Sequence, residues 1–146
     1  MNTLDLIESL IAGLWLGSYL FTHTVVSPAL ASLPFSDAER VRLRSVIGRR
    51  YGSLAGPLLL TWLAVLLLQG LEPWTLLRLG LIVILALAVI THGYYVGRRM
   101  QALAEQEIVE ERPATATSRA ALQRLSARIT PVSLVVSLLL AVLTLL

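Results

Sequence analysis

TWLAVLLLQGLEPWTLLRLGLIVILALAVI, residues 61–90, decides the fold. Two apolar runs flank the short link Gly70-Leu71-Glu72-Pro73-Trp74. Gly and Pro stop a helix on either side, and Trp suits the boundary between headgroups and hydrocarbon. So short a link forces its two helices into an antiparallel hairpin. The runs are long enough to belong to helices that cross a bilayer, which takes about 20 mostly apolar residues.

Working outward, four such segments are expected, at about residues 6–30, 53–69, 76–96 and 129–146. The last carries no charge. Hydrophobic residues make up 56% of the 146-residue chain and charged residues 14%, against about 45–50% and about 25% in soluble domains. A soluble fold of this size could not hide so much Leu, Val and Ala from water. Ala29-Leu30-Ala31 resembles a signal-peptidase site, but Asp5 and Glu8 stand where a signal peptide is positive, and the apolar run is too long. The chain reads as one all-α domain, residues 1–146, an antiparallel bundle of four transmembrane helices.

Ser36-Asp37-Ala38-Glu39 has the spacing of a capping box, so the second helix is expected to begin in water, well before the bilayer. Leu122, Leu125 and Ile129 repeat at helical spacing and extend the fourth helix in the same way. The acidic stretch from Glu105 to Glu111 reads as an extension of the third, and residues 113–117 as a loop.

All twelve basic residues are arginine, and eleven lie in or beside the two longer connections. Positive residues stay on the cytoplasmic side. Both termini and the short link are therefore expected outside, in an inner, cytoplasmic-type membrane. Topology and lipid headgroups account for the arginines, so nucleic acid is not an expected partner. Arg78 alone lies toward the outer face. It is expected to snorkel and to pair with Asp5, Glu8 or Glu72.

Glycines recur at four-residue spacing: Gly13 with Gly17, Gly48 with Gly52 and Gly56, and Gly93 with Gly97. In lipid, small residues let helix backbones approach closely. The pattern fits packing inside the monomer, a homo-oligomer or a larger complex. His23 and His92 are the chemical lead, because ionisable groups within spans are uncommon and mark function by default. Their helices run the same way, and both rings are expected in the cytoplasmic half. Opposed imidazoles could ligate haem b, or help to hold copper. Trp15, Tyr19 and His23 share one face at helical spacing, and His92 shares another with Tyr95, so aromatic rings could flank a flat cofactor. The chain has no cysteine, which excludes disulfides and thiolate sites. No Asp, Glu or Arg stands mid-span, no phosphate loop is present, and no nucleophile set is evident. A coupled pump or an enzyme is not expected.

Gly13-Leu14-Trp15-Leu16-Gly17, with Val25-Val26-Ser27-Pro28-Ala29-Leu30, resembles the opening span of the copper resistance protein D-like membrane domain. It is equally similar to the uncharacterised four-helix family that includes the transmembrane protein 205-like domain. Arg50-Tyr51-Gly52-Ser53-Leu54-Ala55 is similar to the second span of the former, and Arg124-Leu125-Ser126-Ala127-Arg128 to both. The resemblance implies a four-helix membrane domain. The copper-linked family tends to carry a histidine near the start of its first span, where this chain has Ile7-Glu8-Ser9-Leu10. The expected function is a non-enzymatic packing or accessory subunit, with haem or copper handling as the alternative.

Overall fold

The first helix starts where Asn2 and Asp5 cap each other. The Asp5 N–H donates to the Asn2 side chain at 2.9 Å, and the Asn2 N–H donates to the Asp5 carboxylate at 2.8 Å. A computed structural model of the chain describes residues 2–109 and 116–145. Four of its helices are long and apolar enough to cross a membrane, which makes the chain a multi-pass membrane protein.

Helix α1 covers Thr3–Ser32 and α2 covers Asp37–Gln69. Helix α3 runs Pro73–Ile90, passes through a π-helical segment at Thr91–Val96, and continues as Gly97–Val109. Helix α4 covers Ala116–Leu145. The expected box at Ser36 is present: the Ser36 N–H donates to the Glu39 carboxylate at 2.8 Å, and the Glu39 N–H to the Ser36 hydroxyl at 3.3 Å. Each helix reaches beyond its apolar run, because polar caps and charged turns continue it into water. The fourth starts earlier than a loop over residues 113–117 would allow: Ala116 and Thr117 are helical. Residues 113–115 of that expected loop lie outside the described residues, as do Glu110 and Glu111 of the acidic extension.

Between α2 and α3 the chain turns at Gly70, whose φ of +99° suits a residue without Cβ. Pro73 then opens α3, where its missing N–H costs nothing. Pro57 and Pro131 stand inside continuous helices and do not end them.

α1 packs on α2 and α4, and α3 does the same. The core holds Trp15, Trp62, Leu66, Leu85 and Leu140, all essentially inaccessible. Between α1 and α4 the paired residues are Glu8 with Thr144, Trp15 with Ser137, and Tyr19 with Thr130. Numbers rise along one helix as they fall along the other. Many other large apolar side chains, among them Leu10, Leu54, Leu68 and Leu87, face outward. Lipid is as apolar as they are, so helix association here rests on close packing and on hydrogen bonds between helices.

A Cβ built at Gly13, Gly17, Gly48, Gly52, Gly56 or Gly93 would meet nothing within 4 Å. These glycines stand on outer faces, and the helices meet instead through Trp, Leu, Ser and Ala.

Packing at buried positions predicts a contrast within one helix. Leu85→Ala should lower stability by about 2 kcal/mol or more, through the cavity it leaves. Leu87→Ala, on the lipid face, should change it little. Unfolding in mixed micelles measures both, and equal effects would contradict the described core.

Candidate functional site

Glu8 sits two turns into α1 and is 1% exposed. A carboxylate cannot be left bare in a bundle interior, and every other helix sends it a donor. From α3, Arg78 donates to both carboxylate oxygens, at 2.8 and 3.0 Å. From α2, Gln69 donates at 2.9 Å and the Trp62 indole at 3.4 Å. From α4, the Thr144 hydroxyl donates at 3.1 Å. Arg78 was expected to pair at this end, and it does. It does not snorkel: its side chain is 17% exposed and turned into the bundle. In this cluster the buried Arg78 Nε and Gln69 Oε1 have no partner among the described residues.

A second polar layer follows along α1. The buried Trp15 N–H donates to the Ser137 hydroxyl at 2.9 Å, and Ser137 donates onward to the Ser133 carbonyl at 2.7 Å. The Tyr19 hydroxyl donates to the Thr130 carbonyl at 2.9 Å. An indole or a phenol can be buried at this depth because its polar atom reaches a partner on α4.

The histidines lie one step further. Both occur in a Thr-His dipeptide, and both dipeptides open a π-helical segment, Thr22–Val26 in α1 and Thr91–Val96 in α3. In α1 the widened turn precedes Pro28, which has no N–H to return to the carbonyl four residues back. The Ser27 N–H bonds the Thr22 carbonyl instead. In α3 the Gly97 N–H bonds the His92 carbonyl, five residues back, in a stretch where Gly93 and Gly97 weaken the regular ladder. π turns are frequent at functional positions.

The expected face is only partly buried. Trp15 and Tyr19 are buried, whereas His23 is exposed. Its ring stays beside Tyr19, with centroids 4.5 Å apart. His92 is half-buried, with its Nε2 2.9 Å from the Ser126 hydroxyl on α4. Tyr95 is 48% exposed under the Arg99 guanidinium, 5.2 Å from its ring centroid. The structure thus brings Tyr19 to His23 and gives His92 a serine. It leaves Tyr95 at the surface.

Two imidazoles can supply both axial ligands of a haem iron. A copper ion wants further ligands, and no group of three or more His, Asp or Glu that could hold a metal occurs among the described residues. Spacing alone missed Trp62, Gln69 and Thr144 as partners of Glu8. The available signal was an acid and a base placed equally deep in two helices expected to run the same way.

The carboxylate cluster predicts a strong, reversible coupling. Glu8→Ala should destabilise the protein by about 3–5 kcal/mol, because it leaves Arg78 buried without its counter-charge. The double variant Glu8→Leu, Arg78→Met should recover most of that loss. A double-mutant cycle in mixed micelles reads the coupling, and additive losses would refute it.

No curated protein and no solved structure matches the chain. A family model does match, over residues 10–108, and the chain therefore belongs to the family described as a domain of unknown function, DUF4149.

Proposed function

We propose that the chain is a non-enzymatic inner-membrane protein that packs with copies of itself, or serves as an accessory subunit of a larger membrane assembly. In this reading it is one antiparallel four-helix domain with both termini outside. The crowding of eleven of twelve arginines around the two longer connections supports that orientation. The opposed numbering of the α1–α4 pairs supports the antiparallel order.

The observation that carries the assembly is the position of the glycines. Gly13 and Gly17 on α1, and Gly48, Gly52 and Gly56 on α2, have open space where a side chain would stand. The monomer makes no use of them. On a lipid-facing surface, glycine at four-residue spacing lowers the profile of the helix so that another backbone can approach. Native size in mild detergent should exceed that of a monomer. Gly13→Leu with Gly17→Leu should shift it to monomer without lowering the unfolding midpoint, since a Cβ at either position meets nothing in the chain. A wild-type protein that is a monodisperse monomer with no co-purifying subunit would end the proposal.

A second reading has its own observation, the two π turns that each begin with Thr-His. It assigns His23 and His92 to haem b or copper, with Tyr19 and Tyr95 beside the group. Gently purified protein should then show a Soret band or stoichiometric metal, lost in His92→Ala. A colourless, metal-free and folded preparation would remove this reading.

A further inference from the structure

A groove of about 380 Å³ runs along the outside of the bundle between α1 and α2. Leu14 and Ser18 form one wall, and Tyr51, Leu54, Pro57 and Thr61 the other. Its lining is almost wholly apolar. Only Ser18 and Tyr51 bring hydroxyls together, 3.3 Å apart, at one end.

Water cannot fill such a groove within hydrocarbon, and an empty groove would forfeit its dispersion contacts. The occupant is therefore apolar, and the dimensions choose among apolar occupants. From Tyr51 to Thr61 the helix rises about 15 Å, the depth of one leaflet. A groove of that length matches one acyl chain of a lipid, whereas a spanning helix would run about 30 Å. A single hydrocarbon chain fits.

Charge then selects the lipid. Arg50, Leu54, Pro57 and Thr61 follow one another at spacings of four, three and four residues, which places all of them on one face of α2. Arg50 heads the groove, next to Tyr51 in the chain and one turn before Leu54, and Arg49 adjoins it. Arg50 is exposed. It belongs to neither ion pair of the described residues, Arg40 with Asp37 and Arg78 with Glu8.

We infer that this groove is a site for an anionic phospholipid. One acyl chain lies between α1 and α2, and the headgroup phosphate meets Arg50. None of the glycines or histidines named above lines the groove, so the inference does not depend on the function proposed above.

The test uses the full chain in phosphatidylcholine vesicles, with spin-labelled phosphatidylglycerol or phosphatidylcholine as the probe. The motionally restricted signal should favour the anionic lipid by roughly fivefold, the contribution of one arginine near a headgroup. Arg50→Gln should bring the preference close to unity. Arg124→Gln removes the same charge from α4 and should leave the preference intact. Thr61→Phe fills the groove and should shrink the restricted signal of both lipids, with the unfolding midpoint unchanged. The inference fails if Arg50→Gln retains the preference, or if Arg124→Gln loses as much of it. It fails equally if Thr61→Phe leaves the restricted signal intact, or if cross-links place a second copy in the groove.

Discussion

The carboxylate of Glu8 fixes how the four helices meet. It is the one acid in the buried core of the described residues, and donors from α2, α3 and α4 converge on it. In lipid there is no hydrophobic pressure to press helices together, and apolar contacts alone leave rotation and sliding weakly determined. A charge that must be paired removes that freedom. Only one rotation of α1 turns Glu8 inward, and only one register brings Arg78, Gln69 and Thr144 to it. Whether such a pair adds net stability is secondary to the specificity it imposes.

The layers beyond Glu8 repeat the logic with neutral groups. Trp15 on Ser137, Tyr19 on the Thr130 carbonyl, and His92 on Ser126 all join an odd-numbered helix to α4. Each polar atom on a large ring has a nearby hydroxyl or carbonyl, so the rings fill the core without leaving polar atoms bare. α4 carries no charge over residues 129–145. It takes part through serine, threonine and backbone oxygen. Its short polar groups serve the bundle in both directions: Ser137 and the Thr130 carbonyl accept from α1, and Thr144 donates to it.

Sequence alone made the architecture legible because bilayer thickness and hydropathy are long-range averages that single residues cannot upset. The capping box at Ser36 was legible because it is local. Pairing of Arg78 with an acid at its own end followed from depth. What the sequence hid was rotation. Four-residue spacing put His23 on the face of Trp15 and Tyr19, yet its side chain is exposed where theirs are buried. Glycine spacing raised close approach as a chemical option, but it could not say which side of each helix looks inward. Inward direction is set by Glu8, Trp15 and Trp62, whose partners are distant in sequence. The site at Glu8 was hidden for the same reason, since its donors come from positions 62, 69, 78 and 144.

The long separation between Glu8 and its partners bears on how the protein is made. A ribosome delivers α1 to the membrane well before Arg78 has been synthesised. Through that interval the acid has no guanidinium to meet, and a deep position for it is unfavourable. α1 therefore waits near the membrane surface, or beside the insertion machinery, until α2 and α3 arrive. Thr144 arrives last of all. Biogenesis of this small protein thus has a checkpoint written into its first helix, and nascent chains halted before residue 78 would present an unmatched charge to quality control.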